Sequence, residues 1–253
     1  MSNSTILHDY IPGVKELDHM IADALGKGLL KGSDGSAAHV VVAILVTLFI
    51  FYLTFRYQSL RKKAENPLLP EARLNARSVV EILCDASLGL LEGIMGKTVA
   101  RDMLPLIGSM AFFILFCNLA GLVPGLLPPT DVISTNIVLA LIVFFATHIY
   151  GIKKNGMEHI KHMGGPLWWL SWLIFPIEII SHLARPLSLT LRLFGNMVGD
   201  HKVLSIFLGF GILFVPIPVM ILGTIVCIVQ ALVFCLLSAV YIGMALEDLH
   251  DHH

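Results

Sequence analysis

The sequence predicts an all-α membrane protein, with five membrane-embedded helices plus one interfacial amphipathic helix, the last two helices long and strongly tilted. Three observations predict it. Of 253 residues, 56% are hydrophobic and only 14% are charged, with 17 Lys+Arg against 18 Asp+Glu. The mean hydropathy is +0.82, whereas a soluble domain carries roughly a quarter charged residues and needs them to face water. The apolar residues are gathered into long runs separated by short basic segments, the pattern of a chain that crosses a bilayer repeatedly. A net charge of −1 without a basic tract excludes nucleic-acid binding, which requires clustered Lys and Arg to meet phosphates.

Residues 1–38 are polar and mixed in charge, without the basic start and short apolar core of a signal peptide, and are expected to form an external amino-terminal segment. Residues 39–57 are the first transmembrane helix. Their run VVVAILVTLFIFYLTF, with its flanks, crosses a hydrocarbon core of about 30 Å at about 1.5 Å per residue. Arg56, Arg61, Lys62, Lys63, Arg73 and Arg77 follow at once, so the positive-inside rule places them in the cytoplasm and the amino terminus outside.

Residues 58–103 hold this basic loop and then the amphipathic helix, in which Glu81, Asp85 and Glu92 recur at helical intervals among Val, Ile and Leu. Such a helix is expected to lie flat on the cytoplasmic side. Residues 104–246 supply the remaining membrane-embedded helices. The stretches 104–123 and 132–150 are spans joined by GLLPPTD, a Pro-rich turn with no basic residue, and Lys153, Lys154 and Lys161 then return the chain to the cytoplasm. The stretches 167–201 and 203–246 exceed what a perpendicular span needs, so each is expected to tilt or bend, with Pro176, Pro186, Pro216 and Pro218 as bend points. Residues 247–253 form a cytoplasmic tail.

The chemistry concentrates in residues 178–201, EIISHLARPLSLTLRLFGNMVGDH, where ionisable groups sit within an apolar helix. An Arg at bilayer depth costs several kcal/mol or more, so it requires a wet cavity or a partner. At 100° per residue, Glu178, Ser181, His182, Arg185, Ser188, Asn196, Gly199 and Asp200 all fall within about 80° of Arg192. That polar face cannot front lipid. Arg185 reads equally well as a structural partner of Glu178. Arg192 has no acid three or four residues away in its own helix, so its counter-charge is expected from another helix or another chain. Gly195 and Gly199, at G-x-x-x-G spacing beside it, allow a neighbouring backbone to approach closely.

The run Leu191-Arg192-Leu193-Phe194-Gly195-Asn196-Met197, preceded by Arg185-Pro186-Leu187-Ser188-Leu189, closely resembles the signature of subunit a of the rotary F-type ATP synthase. The stretches beginning at Gln230 and Tyr241 resemble that family's last helix. The resemblance covers about residues 38–246. It implies a non-catalytic stator with two offset aqueous half-channels, a ring of subunit c as rotor, the peripheral stalk of subunit b and other synthase subunits as partners, and a bacterial inner membrane as location. Protons, or sodium ions, are the implied cargo, and no cofactor is implied. Arg192 takes the position of the family's essential arginine. By the same resemblance Asn196, His201 and Gln230 match the external half-channel, with Asp200 added by adjacency, while Glu178, Ser188 and Tyr241 match the internal side.

Two positions depart from the family pattern. His201 stands where many members carry Glu, and Gly223 stands where some carry His; Asp200 is placed to replace the ionisable group that Gly223 lacks. His201 points about 180° from Arg192 and reads either as a proton relay or as a cap of the helix end. Asn118, inside the second span, matches a polar position of the family and reads as readily as a helix–helix hydrogen bond.

Other signals are weaker. The segment around Gly96-Lys97-Thr98 lacks the first glycine of a phosphate-binding loop and no strand precedes it, so nucleotide binding is not expected. His159, His162, His250, His252 and His253 lie in short polar segments without a third ligand in register and read as solvated surface, so no metal site is expected. Trp168, Trp169 and Trp172 read as an interfacial belt. Cys84, Cys117, Cys227 and Cys235 lack C-x-x-C spacing and read as small apolar residues. No H-E-x-x-H or G-x-S-x-G motif supports a membrane-embedded enzyme. An ion-coupled secondary transporter acting alone is the rival reading, although no internal repeat of the transporter kind is found.

Overall fold

The computed structural model describes residues 38–63, 76–123, 126–156, 171–209 and 216–246. Among these, six α-helices and one 3-10 turn occur, and no strand. The helices are α1 (Ala38–Lys63), α2 (Ala76–Met95), α3 (Lys97–Gly121), α4 (Ile133–Asn155), α5 (Ser171–Gly209) and α6 (Pro216–Leu246). Four of them, α1, α3, α4 and α6, are long and apolar enough to cross a membrane. α5 carries Glu178, Arg185, Arg192, Asp200 and Lys202 and is not counted with them. The segments 1–37 and 247–253 lie outside the described residues, as do Lys161, His159, His162, Trp168 and Trp169.

Why the helices end where they do is visible locally. Gly96 adopts a φ of 76° between α2 and α3, and Gly156 a φ of 57° at the end of α4; side-chain-bearing residues resist both conformations. Lys153 and Lys154 occupy the last turn of α4, where a cation meets the negative end of the helix dipole. Lys154 Nζ donates to the Leu246 carbonyl at 2.6 Å and Asn155 Nδ2 to that of Ala245 at 3.2 Å. The end of α4 thereby satisfies carbonyls that the end of α6 leaves open.

The expected break between the two long stretches is displaced. α5 runs through Lys202 to Gly209, because one lysine on a helix face does not interrupt the backbone hydrogen bonds, whereas the Gly209, Gly211 and Pro216 that follow supply breakers. Pro216 and Pro218 therefore begin α6 rather than bend it, Pro216 taking the first helical position, where its missing N–H is unneeded. Pro176 and Pro186 lie inside the continuous α5, and Thr190 Oγ1 donates to the Pro186 carbonyl at 2.8 Å.

The main core joins α3, α4, α5 and α6 through Ile114, Val143, Leu193 and Phe234. A second cluster sets Leu91 of α2 against Ile107 of α3 and Ile242 of α6. α1 attaches more lightly, through Val42 and Val46 against Cys117, with Phe49 and Phe116 edge-on at 5.4 Å. α2 turns Leu91 and Ser87 inward and leaves Val79, Ile82 and Asp85 exposed. All four cysteines are free, and Cys117, Cys227 and Cys235 are buried.

The turn between α3 and α4 differs most from a surface loop. Leu127, Pro128, Pro129, Thr130 and Asp131 are all buried. Thr130 Oγ1 donates to Asn118 Oδ1 at 2.8 Å, and Asn136 Nδ2 donates to the Thr130 carbonyl at 2.8 Å. This latch ties α3 to α4 and lets polar groups enter the core, since buried polar atoms are tolerated when paired. Replacing Thr130 with valine removes the donor and leaves the buried Asn118 oxygen without it. A loss of about 1–3 kcal/mol is expected, read as a lower melting temperature of the purified complex, while Thr130→Ser retains the wild-type value.

Candidate functional site

The site is built on α5. Its inward stripe, Leu189, Leu193, Met197 and Leu204, is buried in the bundle. That packing fixes the helix rotation and turns Ser188, Arg192, Gly195, Asn196 and Gly199 outward, where all five are exposed. A side chain added at Gly195 or Gly199 would meet nothing within 4 Å, so this face is open along two turns. Exposed Leu187 and Leu191 of α5 flank it, and Ile225 and Val229 of α6 are exposed as well.

Arg192 has no hydrogen-bond or ion-pair partner among the described residues. The guanidinium is permanently protonated and offers five donors, so an exposed and unpaired one is poised to meet an anion from outside the chain. Beside it, Asn196 Nδ2 donates to Gln230 Oε1 at 2.8 Å. This contact joins α5 to α6 and brings together two of the polar residues singled out from the sequence. Gln230 is buried while Asn196 is exposed, so the pair runs from the open face into the seam between the helices.

Toward the amino-terminal end of α5, the Arg185 guanidinium lies 5.3 Å from the centre of the Tyr241 ring, a cation–π contact that joins α5 to the end of α6. The Glu178 side chain, the expected structural mate of Arg185, lies outside the described residues. Toward the other end, Asp200 and His201 are half-buried, and Asp200 lies within electrostatic reach of Cys227 of α6. His201 Nδ1 is buried without a hydrogen-bond partner among the described residues. Since α5 continues to Gly209, His201 does not cap a helix end, and that reading of its position is set aside.

Gly223 lies close to the residue that follows α3: a Cβ there would stand 2.7 Å from Leu122 Cδ2, the tip of a side chain that would have to shift. Asn118 sits in the latch with Thr130 of the turn between α3 and α4. One polar residue escaped the sequence reading. His148 of α4 comes to within 5.2 Å, ring centre to ring centre, of His182 of α5. An ionisable residue inside an apolar span was the signal that could have found it.

Together these features define a class, a multi-pass, helical membrane protein that presents a cation, unpaired among the described residues, on an open helix face. Comparison with known sequences narrows it. Residues 37–243 match the family model described as ATP synthase A chain. The chain is 41% identical over 214 residues to ATP synthase subunit a of Sorangium cellulosum, covering 85% of this chain and 84% of that one. It is 46% identical over 174 residues to ATP synthase subunit a of Geobacter sulfurreducens, covering 69% and 76%, and 42% identical over 222 residues to that of Trichlorobacter lovleyi, covering 88% and 93%. The chain belongs to the ATP synthase subunit a family. It is therefore a non-catalytic membrane-sector subunit of the synthase, part of the proton-translocating stator.

Proposed function

We propose that the chain forms two offset aqueous half-channels that deliver protons to, and remove them from, carboxylates on a rotating ring of subunit c, with subunit b of the peripheral stalk holding it still. The observation that carries this reading is the exposed Arg192, unpaired among the described residues, on the open face of α5. A fixed guanidinium attracts a passing carboxylate, favours its ionised form and so drives proton release, yet never relays protons itself. It also bars direct passage between the half-channels. The membrane field supplies about 2.3 kcal/mol per charge per 100 mV, and a leak past the arginine would dissipate it without turning the ring.

On this reading Asn196, Gln230, Asp200 and His201 line the external half-channel, with Asn118 near its wall, while Glu178, Ser188 and Tyr241 line the internal one. Asp200 supplies the ionisable group absent at Gly223. Gly195 and Gly199 admit the ring closely, as the space around both supports. α5 then joins the four apolar helices as the fifth membrane-embedded element, and α2 lies at the interface. The 39 residues of α5 and 31 of α6 correspond to about 58 Å and 46 Å of helix against a hydrocarbon core of about 30 Å. Steep tilt accommodates both. The amino terminus lies outside and the carboxy terminus in the cytoplasm of a bacterial inner membrane.

Reconstituting the purified chain alone in liposomes tests the stator reading against a self-sufficient transporter: no controlled proton uptake is expected without the ring, and coupled uptake by the chain alone would refute it. Within the assembled synthase, Glu178→Ala and His201→Ala are expected to slow ATP-driven proton pumping in membrane vesicles without abolishing it. Unchanged pumping rates would remove these residues from the path.

A further inference from the structure

A small cleft of about 10 Å³, roughly the room that one water molecule needs, lies between α4, α5 and α6, lined by Thr147 and His148 of α4, His182, Arg185 and Pro186 of α5, and Tyr241 of α6. Its two imidazoles are 5.2 Å apart, centre to centre, with ring planes at 61°, an edge-to-face contact. His148 Nδ1 lies 2.9 Å from the Phe144 carbonyl. A carbonyl only accepts, so Nδ1 carries the hydrogen, and in the neutral ring the lone pair is on Nε2. His148 thus takes up and returns a proton at one atom, Nε2.

Pro186 adds an acceptor. It has no N–H to give to the residue four positions earlier, so the His182 carbonyl is released from its helical bond and can hold water at the cavity. Among the described residues, the charged and titratable groups lining the space from all three helices are His148, His182, Arg185 and Tyr241. Arg185 cannot relay a proton and is held over the Tyr241 ring. The imidazoles are left as the groups whose ring nitrogens can both accept and donate a proton. His182 precedes Arg192 by about 15 Å of helix, toward the end of the bundle where α4 carries Lys153 and Lys154.

We infer that His148 and His182 form a paired-imidazole proton-exchange site in the half-channel on the Lys153 and Lys154 side of Arg192. This rests on the stator reading above and adds two residues that it does not use. A proton released by a ring carboxylate converts one imidazole to imidazolium, passes to the other directly or through one water, and leaves to bulk water. Only N–H and O–H bonds form and break, and no other reactant is required.

The test uses the assembled synthase in membrane vesicles. In His148→Gln with His182→Gln, which keeps comparable size and hydrogen bonding, ATP-driven pumping is expected to fall several-fold. The pH dependence of pumping is expected to flatten. In His148→Ala with His182→Ala, imidazole added to the buffer is expected to restore part of the rate. Wild-type pumping with an unchanged pH profile in the glutamine variant overturns the inference. Slowed pumping with an unchanged profile and no rescue by imidazole overturns it too, since that is the mark of a structural role. Arg192→Ala, measured in parallel, separates the two levels: if it pumps normally the stator reading fails, and if it is inactive while the histidine variants are normal only the exchange site fails.

Discussion

Arg192→Ala is expected to reduce proton-coupled ATP synthesis to background while the synthase remains assembled. The expectation follows from where the side chain lies. It has no hydrogen-bond or ion-pair partner among the described residues, so its removal breaks no contact described within the chain, and the stripe that holds α5 in place, Leu189, Leu193 and Met197, is untouched. What disappears is the fixed positive charge on the open face. On the proposed stator reading, a carboxylate reaching that position then has no counter-charge to favour its ionised form, and the barrier between the half-channels falls. ATP synthesis in energised vesicles, subunit abundance in the purified complex and passive proton leak together check the prediction: synthesis lost, abundance normal, leak raised. Arg192→Lys keeps a charge but loses the planar fork and its five donors, so partial activity at most is expected. Normal ATP synthesis by the alanine variant would show that the essential charge lies elsewhere.

Gly121→Val is expected to act oppositely, abolishing accumulation of the subunit rather than its turnover. Gly121 ends α3 where three segments converge: a Cβ there would run into Met197 Cε of α5 and would stand 2.8 and 2.9 Å from Pro128 Cγ and Cβ. Overpacking of this kind costs about 1–3 kcal/mol and occasionally more. The methionine end can swing aside, but the proline ring is fixed. Gly121→Ala combined with Met197→Ala should therefore remain defective. Immunoblots of membranes and melting of the purified complex read the effect; normal abundance of Gly121→Val would mean that the turn yields where its burial says it should not.

The contrast between these substitutions reflects what could be read from the chain. The helices α1, α3 and α4 were legible because an apolar run bounded by Lys, Arg or a Pro-rich turn is a local signal. So was the lack of a near mate for Arg192 within its own helix, which needs only the absence of an acid three or four residues away. The junction at Gly121, the latch of Asn118, Thr130 and Asn136, and the Asn196–Gln230 bond are contacts between distant segments, and no spacing announces them. Lys202 misled for a physical reason: hydropathy registers a charge as an interruption, while the backbone ladder of α5 continues through it to Gly209. The cavity of His148, His182, Arg185 and Tyr241 draws on three helices, so the sequence could supply its members but not their meeting.

The bare guanidinium on α5 bears on how cells supply this polypeptide. On the proposed reading, a copy inserted ahead of its rotor would turn that charge toward hydrocarbon, at a cost of several kcal/mol, and expose a defect that membrane proteases can find. Synthesis in step with the rotor, or insertion held back until the rotor waits in the bilayer, removes the mismatch, so surplus copies are expected to be short-lived.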